Sequence, residues 1–363
     1  MLVTLVAGAR PNFMKIAPII DAVVAAKQQG KNIAYRLVHT GQHYDKNMSD
    51  SFFEELGIPE PDVNLECGGG TQAEQAANIM VRFEKELLDN PTNLVLVVGD
   101  VTSTMACSIA AKKLCIDVAH VEAGIRSGDI TMPEEINRMV TDSITDLFFT
   151  TSDVANNNLL QAGVAPAKIH FVGNTMIDTL LKQMPRLQPP AVTANLGLQP
   201  QQYFVITLHR PANVDGEYKL KILINEIIRC ANGLPVIFPV HPRTAKNLQG
   251  QGIAAPNLHM IEPLSYLQFN YLVKHAKAVI TDSGGITEET TVMGVPCITL
   301  RNSTERPETV TIGTNELIGT NPEALAPHMQ KIFANQWKKG AIPEMWDGKT
   351  AERIVGVLTN LYP

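Results

Sequence analysis

Short, unbroken apolar runs alternate with segments of helical period along almost the whole chain. LVTLVA at 2–7 reads as a buried strand, and runs at 33–38, 94–98, 116–121, 147–150 and 168–172 repeat it. Between them, 13–28, 73–89, 103–114, 134–144 and 153–162 space their apolar residues as helices do. Strands without polar alternation are buried on both faces, as in a parallel sheet covered by helices. The rhythm breaks at 184–202, QMPRLQPPAVTANLGLQPQ, where Pro and Gln predict a linker. It restarts with strands at 203–208, 235–240, 257–261, 277–281 and 295–300, and helices near 216–231, 265–275, 285–293 and 322–335. The expected organisation is an α/β domain over 1–183, a linker over 184–202, a second α/β domain over 203–349 and a terminal helix within 350–363.

Composition narrows the class. A chain of 363 residues is long enough for two domains of roughly 100–200 residues each. With 45% hydrophobic and 18% charged residues it is not a disordered chain. A net charge of −6 argues against a general nucleic-acid or anionic-membrane binder, while leaving room for a local basic pocket. The five cysteines are scattered without a CxxC, which reads as free thiols in a reducing compartment; Cys107, Cys115 and Cys297 lie in apolar runs and are expected in the core. No segment approaches the roughly 20 apolar residues of a membrane span. The first residues lack a basic flank and read as a strand, not a signal peptide.

Open parallel sheets place ligands at the carboxyl ends of their strands, and the polar clusters fall there. GARPNFMK at 8–15 offers a Gly turn, Arg10, a helix opened by Pro11 and Lys15 one turn in; it suits an anion at a helix N-terminus, or is an ordinary turn. TGQH at 40–43 is a polar loop after the second strand. GDVTST at 99–104 makes Asp100 either a helix cap or a catalytic carboxylate. HVEAGIRSG at 120–128 sets Glu122 and Arg126 in one turn, and in PEEINR at 133–138 Glu134 and Arg138 share a helix face and can pair. Asp100, Glu122 and Glu134 can thus converge on one sheet edge, the arrangement in which acids and bases are tuned. In the second domain, TLHRPAN supplies His209 and Arg210, and PVHPR supplies His241 and Arg243. TDSGGITEE at 281–289 places Ser283, Gly284 and Gly285 where backbone N–H groups can meet an anion; Asp282 and Ser283 are alternatively helix caps, and Glu289 can accept from sugar hydroxyls. RNSTERPE at 301–308 adds Arg301 and Arg306.

Taken in order, GARPNFMK, TGQHYD, GDVTST, HVEAGIRSG, MPEEINR, GNTMID, HRPAN, PVHPR, TDSGGITEE and TERPE resemble the non-hydrolysing UDP-N-acetylglucosamine 2-epimerases. The resemblance implies a glycosyltransferase-B-like fold, two Rossmann-like domains facing across a cleft, with the C-terminal helix returning to the first. It implies a cytoplasmic homodimer acting on a UDP-sugar, with no nucleic-acid or membrane partner, that makes UDP-N-acetylmannosamine for surface polysaccharides. The reaction implied is anti-elimination of UDP through 2-acetamidoglucal, then re-addition. By position, the implied catalytic residues are Asp100, Glu122, Glu134 and His209. Substrate contacts fall on Arg10, Lys15, Arg138, Ser283, Gly284, Gly285, Glu289 and Arg306. No metal-ligand spacing appears, and no required metal or cofactor is expected. An epimerase of UDP-2,3-diacetamido-glucuronate is the alternative within this resemblance, although Arg306 and Pro307 favour the plain N-acetyl sugar; a hydrolysing 2-epimerase is another. Some bacterial members carry an activator site built on an Arg-Gln pair, where this chain has Gly69 and Gly70.

Overall fold

A computed structural model describes residues 1–42, 53–210, 213, 217–240, 248, 250, 253 and 255–362. Its contacts divide the chain into one unit formed by residues 1–182 and 344–363 and another formed by 183–343. In the first, strands β1 (Leu2–Ala7), β2 (Ala34–His39), β3 (Val63–Asn64), β4 (Leu94–Val98), β5 (Asp117–Val121), β6 (Leu147–Thr150) and β7 (Ile169–Phe171) form a parallel sheet in the order 3-2-1-4-5-6-7. Every residue of β4 is buried, as an unbroken LVLVV run requires. On one face, Ile79, Phe83 and Leu87 of the helix Gln72–Asp89 pack with Ala106, Cys107 and Ala110 of the helix Thr102–Lys113 over Val95 and Val97.

The second unit repeats the plan. Strands β8 (Phe204–Thr207), β9 (Val236–Pro239), β10 (Leu258–Ile261), β11 (Ala278–Thr281), β12 (Cys297–Thr299) and β13 (Asn315–Leu317) lie parallel in the order 10-9-8-11-12-13. Each sheet is doubly wound from a central first strand. Its switch points are therefore the turns after β1 and β4 in one unit, and after β8 and β11 in the other. The edge strands β3 and β13 and the helix Pro307–Thr311 are two to five residues long, too short to carry a period; they and the helix Thr175–Gln183 are not among the expected elements. Cys107 and Cys297 are buried as expected, but Cys115 is exposed in the turn that ends the helix Thr102–Lys113. Among the described residues, no helix is long and apolar enough to cross a membrane.

Two expected boundaries move. Residues 184–202 are not a bare linker: they form a 3-10 turn at Met184–Arg186 and the helix Ala191–Asn195. Val192 and Leu198 anchor them on Tyr203, Val205 and Val273, so the segment belongs to the second unit. Residues 344–349, expected with the second domain, belong to the first. Trp346 is 1% exposed and its indole N–H donates to the Thr151 carbonyl at 3.1 Å.

The motif GNTMID is explained by the same return. Gly173 has φ +103°, and a Cβ there would collide with the Met345 carbonyl oxygen. Asp178 reaches the start of the helix Thr350–Leu361, accepting from the N–H of Thr350 at 3.1 Å and of Ala351 at 2.8 Å. This cap spans 172 residues of sequence. Because Asp178 is buried, Asp178→Ala strands helix N–H groups, and the expected loss is about 1–3 kcal/mol. A thermal melt followed by tryptophan fluorescence checks it; an unchanged midpoint would mean the cap contributes nothing.

Candidate active site

In the first unit one side chain ties the two switch-point turns together. Asn12 Oδ1 accepts from the N–H of Gly8 (3.2 Å) and Ala9 (2.9 Å), while its Nδ2 donates to the Val98 carbonyl at the end of β4 (3.0 Å). Arg10 opens the helix Arg10–Gln28 half-exposed, and burial lowers its pKa despite the opposing charge of Glu55. From the TGQH loop, Gln42 Oε1 accepts from the Ser103 N–H (3.1 Å) and hydroxyl (2.8 Å), fixing the start of the helix Thr102–Lys113; His43 lies outside the described residues.

Lys15, one turn into the helix Arg10–Gln28, has its partner in Glu122. It is buried, with Nζ 2.6 Å from Glu122 Oε2. Glu122 itself is 3% exposed and ends β5 with φ +72°, a left-handed backbone that costs a side-chain-bearing residue about 1–3 kcal/mol. Gly99 lies against this pair: a Cβ on it would sit 2.8 Å from Lys15 Nζ and 3.7 Å from Glu122 Oε2.

Asp100 follows Gly99 and is not a helix cap, because Val101 holds that position without a side-chain bond. Its Oδ2 accepts from Arg138 Nε (3.1 Å) and Nη2 (2.8 Å), and Asn137 Nδ2 donates to its carbonyl (2.9 Å). The expected Glu134–Arg138 pair is made instead by Glu135, which meets Arg138 Nη1. The buried face of the helix Pro133–Ile144 carries Glu135, Asn137 and Arg138, while Glu134 stays half-buried in its first turn. Burial raises the pKa of Glu135, but N–H bonds from Ser127 (2.9 Å) and Gly128 (3.0 Å) and the charge of Arg138 hold it below the usual carboxylate range. Sequence reading also missed the buried run from His120 through Asp142 to Arg126. Its signal was Asp142 four residues after Arg138, on the same inward face.

In the second unit Asp282, read as a possible cap, organises the other switch point. It is fully buried and accepts from the N–H groups of His209 (3.1 Å) and Arg210 (3.0 Å) and from Asn213 Nδ2 (3.0 Å), while His209 Nδ1 lies 2.8 Å away. Burial raises its pKa, but His209 and Asn213 outweigh that and hold it low. The His209 ring stays 61% exposed. Ser283, Gly284 and Gly285 open the helix Gly284–Met293 half-exposed, with no side chain capping it.

Glu289 and Arg306, both expected substrate contacts, have partners within the second unit. Glu289 is buried, and its Oε1 accepts from Tyr266 Oη (2.8 Å) and Asn270 Nδ2 (3.4 Å). Arg306 is likewise buried, with Nε 2.5 Å from Glu288, beside the Arg301–Glu305 pair at 2.6 Å. His241 and Arg243 lie outside the described residues.

Burial pushes the Glu289 pKa up to about 7, with Glu288 adding to it. The folded state thus holds this proton more tightly than the unfolded chain. Its contribution is complete below the ordinary glutamate range and is lost as pH rises through about 7. The expected drop is about 3 kcal/mol between pH 4 and pH 8. Glu289→Gln should flatten that part of the denaturation free energy against pH; an identical slope would overturn the assignment.

Two doubly wound parallel units with polar switch points define a glycosyltransferase-B-like protein. The fold is shared with the lipopolysaccharide outer core galactosyltransferase WaaB, at a TM-score of 0.58 and 12% identity over 99% of this chain and 100% of that one. A family model described as UDP-N-acetylglucosamine 2-epimerase matches residues 25–359. The chain belongs to the UDP-N-acetylglucosamine 2-epimerase family and is an isomerase. It is 41% identical to the UDP-N-acetylglucosamine 2-epimerase of Methanocaldococcus jannaschii over 99% of each chain. The crystal structure of the M. jannaschii enzyme with UDP-GlcNAc and UDP matches with a TM-score of 0.87, at 40% identity, over 99% of this chain and 100% of that one. The UDP-2,3-diacetamido-2,3-dideoxy-D-glucuronate 2-epimerase of Pseudomonas aeruginosa is 38% identical over 88% of each chain.

Proposed function

We propose that the protein interconverts UDP-N-acetylglucosamine and UDP-N-acetylmannosamine by anti-elimination and re-addition of UDP, supplying a precursor of surface polysaccharide. The observation that carries this reading is the pair of carboxylates after β4 and β5, each set against its own cation: Asp100 on Arg138 and Glu122 on Lys15. The C2 proton of an N-acetylhexosamine is not α to a carbonyl, so direct abstraction is slow. Losing UDP from C1 while a base takes H2 gives 2-acetamidoglucal. A proton delivered to the opposite face of C2, with UDP returning to C1, gives the epimer. Asp100, Glu122 and Glu134 are the proposed acids and bases. Arg10, His209 and the helix start at Ser283–Gly285 are proposed to stabilise the departing diphosphate through charge and N–H groups.

Incubation with UDP-N-acetylglucosamine in deuterated water, read by NMR, tests the reading. The expected result is the C2 epimer with deuterium at C2 and UDP retained. Free N-acetylmannosamine would mark a hydrolysing enzyme. The same assay with UDP-2,3-diacetamido-glucuronate tests the second reading, which the Pseudomonas aeruginosa relative supports.

The turn before the helix Gln72–Asp89 bears on regulation. Thr71 and Glu74 cap that helix reciprocally, with Gly69 and Gly70 just ahead of them. Glycines supply no guanidinium fork for a second nucleotide sugar. UDP-N-acetylmannosamine alone is therefore expected to react without a lag; a lag removed by trace UDP-N-acetylglucosamine would show that an activator site exists.

A further inference from the structure

The turns that carry Asp100 and Glu122 both lean on Gly99, and Gly99 leans on a histidine that the proposed chemistry does not use. His120 is fully buried in β5, two residues before Glu122. Its Nδ1 lies 2.7 Å from Asp142 Oδ1 and its Nε2 lies 2.8 Å from the Gly99 carbonyl oxygen. Both neighbours are acceptors. A neutral imidazole has one N–H, so it would turn a lone pair on one of these oxygens at hydrogen-bond distance. A doubly protonated ring donates to both.

The charged group in contact with the ring is Asp142. Asp142, on the helix Pro133–Ile144, is buried; its Oδ2 lies 2.7 Å from Arg126 Nη1 and accepts from the Gly124 N–H at 3.1 Å. Burial raises its pKa, but His120 and Arg126 more than offset this. The Lys15–Glu122 pair lies against Gly99. We propose that His120 is a positioning residue, held as an imidazolium between Asp142 and the Gly99 carbonyl, that fixes the Gly99–Asp100 turn and so aims the Asp100 carboxylate. The proposal rests on the epimerase reading for the role of Asp100, but not for the protonation state of the ring.

Two measurements test it. In 15N-histidine-labelled protein without substrate at pH 7.5, the resonances that vanish in His120→Gln should report two protonated ring nitrogens. An unprotonated nitrogen among them overturns the proposal, whatever the enzyme turns over. In kinetics, His120→Gln should lower kcat about 10²-fold, the cost of a misplaced catalytic group, with KM and UDP affinity changed less than twofold. Asp142→Asn, which removes the counter-charge, should reproduce the loss, and the double variant should be no slower than the slower single. A raised KM with unchanged kcat, or losses that multiply in the double variant, would overturn positioning. If His120→Gln does not fold, the wild-type and Asp142→Asn spectra decide between one and two ring protons. A wild-type enzyme inactive on both sugar nucleotides defeats the epimerase reading alone.

Discussion

Glu122→Gln lowers epimerisation by about 10²-fold or more, the scale of lost acid–base catalysis, and it also costs stability. The second effect comes from Lys15. Its ammonium is buried against Glu122 at 2.6 Å, with both side chains under a tenth exposed. Removing one member of a buried pair leaves the other charge uncompensated, which costs about 3–5 kcal/mol. A glutamine oxygen keeps one acceptor for Lys15, so the loss should fall near the lower end. Lys15→Met combined with Glu122→Gln removes both charges and should recover most of the stability while remaining inactive. Asp100→Asn should separate the effects differently. Asp100 is about a quarter exposed and Arg138 keeps Glu135, so activity falls with a smaller loss of stability. Chemical denaturation alongside C2 hydrogen exchange measures both quantities. A double variant as active as the wild type would remove Glu122 from the chemistry.

The contrast shows what local sequence encodes and what it does not. Asp100 and Glu122 are legible because each comes within two residues of the end of a predicted strand, which places it at the carboxyl edge of a parallel sheet. Partners are less legible. Lys15 and Glu122 are 107 residues apart, and nothing in the GARPNFMK motif says that its lysine turns inward. Glu134 and Glu135 are neighbours about 100° apart on a helix, so which one meets Arg138 depends on how that helix is rotated against the sheet. The partner of Arg306 is not legible either, because Glu288 lies 18 residues away on the helix Gly284–Met293. GNTMID and the terminal helix read as separate features, yet Asp178 and Gly173 join them across the chain ends of one unit.

Asp282→Ala should abolish tight UDP binding by a route that involves no direct contact with the ligand. The carboxylate is fully buried, yet it holds the whole turn after β8 through the N–H groups of His209 and Arg210, the side chain of Asn213 and the ring of His209. Alanine removes every one of these acceptors at once. Each donor left without a partner costs about 1–3 kcal/mol where water does not replace it. The turn should loosen, and the exposed ring of His209 should lose its orientation before the rest of the unit unfolds. UDP affinity should then fall at least about tenfold, equivalent to about 1.4 kcal/mol. Asp282→Asn should lie between, since one amide oxygen can still accept from the main chain while its NH2 opposes the donor of Asn213. Acid should mimic the substitution. The pKa of Asp282 is held low, so its stabilisation is present above the ordinary aspartate range and is lost as pH falls through the lower folded value. Calorimetric titration of UDP into both variants, with their folding verified by circular dichroism, measures the effect. A folded Asp282→Ala protein that binds UDP as the wild type does would show that the turn after β8 has no part in holding the nucleotide.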